Sequence, residues 1–159
     1  MFNMHIGLKP ILVMVWAMLP VTELRAAIPL AISAYGMSWQ SALFWALLGN
    51  SIITVIVMFC LDPIARFLSK HFSIFERLFT WLFARTRRKH SKLFETWGAV
   101  ALIVFVAIPL PGTGAWSGTL AAFVFGIKPK KAIPLIIAGL VFAGIAVTIL
   151  TVGIRTIIL

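Results

Sequence analysis

The chain has 159 residues, 62% hydrophobic and only 11% charged, with a mean hydropathy of +1.07. Soluble domains are about 45–50% apolar, so this few charges cannot clothe a core of this size, and the composition excludes a soluble globular protein in favour of one integral membrane domain spanning 1–159. The net charge of +10 is not a nucleic-acid face: eight of the fourteen Lys and Arg fall between Arg66 and Lys92, and three more at Lys128–Lys131, as clusters between apolar runs. That is the pattern of cytoplasmic loops, and anionic lipid headgroups are the expected partner of 66–92.

Met1–Gly7 lacks Lys and Arg, and no small-x-small site follows Ile11–Leu19, so a cleaved signal peptide is not expected. The first segment, 8–35, is interrupted at Pro20–Arg25 and again at Pro29. The second, 41–61, is uncharged, and at about 20 residues suits one spanning helix. Asp62-Pro63 is expected to end it, because a proline disfavours helix in the residue before it. The third, 62–96, places Ile64, Phe67, Leu68, Phe72, Phe75, Leu78, Phe79, Leu82 and Phe83 on one helical face and Arg66, Lys70, Glu76 and Arg77 on the other. This is a cytoplasmic amphipathic helix suited to the membrane interface, followed by a basic loop; a helix packed on the other segments is the alternative. The fourth, 97–127, breaks at Pro109–Gly114. The fifth, 132–159, is a second spanning candidate, with Arg155 placed to snorkel.

Charge then constrains topology. Arg85–Lys92 and Lys128–Lys131 both belong on the cytoplasmic side, so the fourth segment starts and ends on one side and is too short for two spans of about 20 residues each. It reads as a re-entrant hairpin. An offset of 90 residues aligns Gly36 with Gly126, Ala42 with Ala132, Gly49 with Gly139, and the two breaks with each other. The expected fold is therefore all-α: an inverted repeat of re-entrant hairpin plus transmembrane helix, 8–61 and 97–159, a transporter architecture. A first segment that spans fully is the rival.

Backbone broken at bilayer depth is tolerated where it is buried in protein or lines a cavity, so the two breaks are the candidate site. Pro20 and Thr22 belong to the first break. Glu23 and Arg25 are costly in a membrane and mark proton or ion pathways. Glu23 is the candidate proton carrier, and Arg25 the candidate anion partner, able to hold phosphate or carboxylate bidentately. If the break is an extended turn, both face one cavity; a structural ion pair is the alternative. Pro109, Pro111, Gly112, Thr113, Gly114, Trp116 and Ser117 bring other means: close backbone approach, a restarting helix whose free amides suit an anion, two hydroxyls, and an indole that stacks or packs. Cys60 reads as a small buried thiol. One cysteine and scattered His5, His71 and His90 exclude a metal cluster. No nucleophile–base set is visible, so neither an enzyme nor a cofactor is expected.

The strings Pro-Val-Thr-Glu-Leu-Arg-Ala-Ala-Ile-Pro (20–29) and Pro-Leu-Pro-Gly-Thr-Gly-Ala-Trp-Ser-Gly (109–118) resemble the two signature motifs of the small multidrug export protein family, over nearly the whole chain. That family is in turn similar to DedA-type (VTT-domain) membrane proteins. The resemblance implies paired re-entrant hairpins moving lipids, lipid-linked phosphates or ions, with Glu23 and Arg25 matching the first hairpin's charged pair. The second hairpin here lacks the arginine of the DedA type, which weighs against a lipid-phosphate substrate. The expected function is a small, oligomeric, proton-coupled exporter, multi-pass in a bacterial-type inner membrane. A lipid scramblase or flippase, and a non-transporting membrane assembly factor, are the alternatives.

Overall fold

The computed structural model describes residues 7–71, 77, 92–109 and 113–158, in six helices: α1 (Leu8–Met18), α2 (Glu23–Ser33), α3 (Trp39–His71), α4 (Lys92–Ala107), α5 (Ala115–Val124) and α6 (Pro129–Ile158). Two of them, α3 and α6, are long and apolar enough to cross a membrane.

The first break falls where proline chemistry places it. Leu19, ahead of Pro20, takes φ −73° and ψ 140°, the extended conformation that a following proline favours. The chain re-enters helix at Glu23, so 19–22 is the break, and Glu23 and Arg25 lie in the first turn of α2 rather than in an extended turn. Lys9 Nζ donates to the Tyr35 carbonyl at 2.9 Å, bringing the start of α1 beside the end of α2. The first segment thus folds back on itself as a hairpin, with two arms of 11 residues, each about 16 Å long. In the second, α4 and α5 pack on each other across the break before Ala115.

Two prolines expected to interrupt helices do not. Pro29 lies inside α2, and Pro63 inside the 33-residue α3, which runs on to His71. A proline ring holds a helical φ and costs one amide bond, so α3 runs on through Pro63 with that single bond missing. The spanning helix and the first ten residues of the amphipathic stretch are therefore one rod. Most of the rest of that stretch lies outside the described residues, and α4 begins within it, at Lys92. Cys60 is also corrected: it is exposed, on an outer face of α3 shared with Ile56, Phe59 and Phe67. Phe142, Ile145 and Ile149 do the same on α6. Outward apolar surface this continuous suits lipid rather than water.

Small residues set the close approaches. A Cβ at Gly49 would fall on the Met14 carbonyl of α1. One at Gly139 would sit 2.7 Å from Val106 Cβ and 2.9 Å from the Ile103 carbonyl of α4. Several positions 90 residues apart are locally alike. Helices α3 and α6 start 90 residues apart, Gly36 and Gly126 both turn at positive φ (62° and 68°), and Ala42 and Ala132 are both fully buried. Each hairpin packs on the long helix that follows it, and α2 and α5 each also pack on the long helix of the other half. Gly49→Ala and Gly139→Ala are expected to destabilise the protein comparably, by about 1–3 kcal/mol each, read from thermal unfolding in detergent. A neutral Gly139→Ala beside a damaging Gly49→Ala would separate the halves mechanically.

Candidate functional site

A broken helix leaves amides unpaired at its new start and carbonyls at its old end. In an apolar surrounding each must find a partner. Here several of the partners come from the other hairpin.

Glu23 is buried, 6% exposed, and its carboxylate lies at the start of α5. Oε1 accepts from the Trp116 amide at 3.3 Å, and the Ala115 amide faces the same carboxylate. The free amides expected to suit an anion thus hold one supplied by the chain itself. An anion there also meets the positive end of the helix dipole, worth up to about 2 kcal/mol when partly buried. Gly114 makes the approach possible, since a Cβ at that position would overlap the carboxylate. Glu23 sits at φ 45°, a left-handed conformation that costs a non-glycine residue about 1–3 kcal/mol, and the contact with α5 is where that strain is spent.

Arg25 reaches the other end of the second break. Its Nη2 donates to Thr113 Oγ1 at 2.7 Å and to the Ile108 carbonyl at 3.3 Å, and Thr113 Oγ1 itself donates to Ile108 at 2.7 Å. Glu23 and Arg25 also attract one another electrostatically. In the reverse direction, Trp116 Nε1 donates to the Met18 carbonyl at 2.9 Å, capping the last turn of α1. The indole therefore has a defined structural bond.

The other expected residues divide. Thr22 turns its hydroxyl to the Trp16 carbonyl of its own hairpin. Pro20 and Pro109 are exposed at the edges of the breaks. Ser117 Oγ is buried, with no hydrogen-bond partner among the described residues. Pro111 and Gly112 lie outside the described residues. Among the described residues no group of acidic, His and Cys side chains could hold a metal.

One residue of the site was not anticipated. Asn50 of α3 is fully buried. With its amide oriented to satisfy both neighbours, its NH2 donates to the Ala17 carbonyl and its oxygen accepts from the Leu24 amide at 3.1 Å. It thereby bridges the two sides of the first break. The available signal was a lone amide in an otherwise apolar spanning run, where a polar side chain normally has work to do.

Residues 23–146 match the family described as "Putative small multi-drug export protein". The chain belongs to this family. The matched span of this small multi-drug export protein family member opens on Glu23 and takes in Arg25, Asn50 and all of the second break, leaving α1, Pro20 and Thr22 outside it. The family match is thus shorter than the motif resemblance, and it does not extend to the DedA-type proteins. No curated protein and no solved structure matches the chain. Family and long apolar helices together support a membrane protein with a transport role.

Proposed function

We propose that this protein is a proton-coupled exporter of a bacterial-type inner membrane, gated where its two hairpins cross-cap each other. The observation that carries the reading is the Glu23 carboxylate on the amide end of α5, a titratable group serving as the latch between two broken helices. In this reading both hairpins are re-entrant. Three of the four arms have 10 or 11 residues and reach about halfway into a hydrocarbon core of about 30 Å; the fourth, α4, has 16. The halves are inverted, which agrees with Gly144, midway along α6, packing on Leu43 and Leu47 near the start of α3. The start of α6 carries Lys128, Lys130 and Lys131, while the equivalent start of α3 carries Ser38, Gln40 and Ser41. Lysines on one side only are what opposite orientation under the positive-inside rule produces.

A proton on Glu23 removes the charge facing the Ala115 and Trp116 amides. The latch then falls from a charge-assisted bond to a neutral one, roughly half as strong. Parting of the hairpins frees the α5 amides and the Arg25 guanidinium to receive an anionic group of the substrate. Reconstitution in liposomes under a pH gradient, read with a trapped pH-sensitive dye, tests this. Glu23→Gln keeps the shape and a neutral acceptor but cannot release a proton, and is expected to abolish proton flux. Unchanged flux through a folded Glu23→Gln protein would overturn the assignment.

A further inference from the structure

The two hairpins are not held in the same way. Five buried polar or charged residues are described: Glu23, Asn50, Thr54, Thr119 and Thr148. The three threonine hydroxyls turn back to carbonyls four residues earlier in their own helices, as hydroxyls in apolar helices do. Glu23 and Asn50 reach other elements instead. With its amide in the orientation that satisfies both neighbours, Asn50 bonds Ala17 on one side of the first break and Leu24 on the other. Leu24 is the residue between Glu23 and Arg25, so the amide of α3 fixes the backbone from which both charged side chains extend. Ninety residues on, α6 offers Leu140, fully buried and without a hydrogen-bonding group. The second break is held from the opposite hairpin, by Glu23 at the start of α5 and by Arg25 at Thr113 and Ile108.

We propose that Asn50 is the positioning residue of this clamp, pinning the first hairpin to α3 and leaving α5 as the arm that moves when the clamp opens. The inference rests on the gating reading above, in that the clamp must open. Its physical content is separate. Loss of the Glu23 charge removes a hold on α5 and leaves both bonds of Asn50 intact. The first hairpin with α3 is then the frame, and α5 the gate.

Spin-label distances in liposomes test it. Val21→Cys paired with the native Cys60 reports the first hairpin against α3; Leu120→Cys with Phe142→Cys, in a Cys60→Ala background, reports α5 against α6. All of these positions are exposed. Glu23→Gln is expected to shift or broaden the α5–α6 distance and to leave the Val21–Cys60 distance as it was. Asn50→Leu, which copies position 140, is expected to broaden the Val21–Cys60 distance. The proposal is overturned if Glu23→Gln moves both pairs alike or neither, or if Asn50→Leu leaves the first pair sharp. Should Asn50→Leu fail to fold, the Glu23→Gln comparison decides alone. Lost proton flux with both pairs moving together would sink the pin and spare the proton carrier. Retained flux with only α5 moving would do the reverse.

Discussion

Replacing Gly114 with alanine is expected to part the hairpins, abolish transport and cost about 1–3 kcal/mol of stability. The added methyl group falls on the Glu23 carboxylate itself, which cannot yield locally. Its backbone is already held in a left-handed conformation, and the next residue is tied to Asn50. Relief has to come from separating α5 from α2, which strands the carboxylate from the Trp116 amide. Gly153→Ala is the control, because a Cβ there meets nothing within 4 Å and alanine is the better helix former by about 1 kcal/mol. Thermal unfolding in detergent and flux in liposomes read the pair. A Gly114→Ala protein as stable and active as Gly153→Ala would show that the contact between carboxylate and glycine does not matter.

The second large effect is expected at Arg25. Arg25→Ala removes the donor to the Ile108 carbonyl and to Thr113 and takes away the positive partner of Glu23. For a half-buried charged donor the loss is about 1.5–3 kcal/mol. Arg25→Lys separates charge from shape. A lysine restores the positive charge but not the longer, planar guanidinium whose Nη2 reaches both the hydroxyl and the carbonyl. It is expected to recover part of the unfolding temperature and little of the flux. Full recovery of flux by Arg25→Lys would mean that charge alone suffices and that the bridge between Thr113 and Ile108 is incidental.

Much of the architecture was readable before any coordinates. Proline and glycine marked both breaks, and Leu19 is extended ahead of Pro20. The offset of 90 was written in glycines because two of its pairs do backbone work, turning at positive φ in Gly36 and Gly126 and admitting a neighbouring helix at Gly49 and Gly139. What was not readable followed from partners distant in sequence. That the amide end of α5 holds Glu23, 93 residues away, depends on how two hairpins dock, and no local pattern encodes it. Pro63 misled because the ring's fixed φ is itself helical, so a helix can continue through it at the loss of one amide bond. Cys60 misled because in a lipid-facing protein an apolar run does not say which face turns inward.

The reciprocal capping has a consequence for how the protein is made. The amino-terminal half leaves the ribosome carrying Glu23 and Arg25, while Ile108, Thr113 and Trp116, their partners in the second hairpin, have yet to be synthesised. Each such charge costs at least about 2.5–3.5 kcal/mol at the centre of a membrane helix. If the hairpins are re-entrant, as proposed above, the first is expected to wait at the membrane surface or inside the insertion machinery until the second arrives. On that proposal the two hairpins enter the bilayer as a pair, and the order of synthesis becomes part of the architecture.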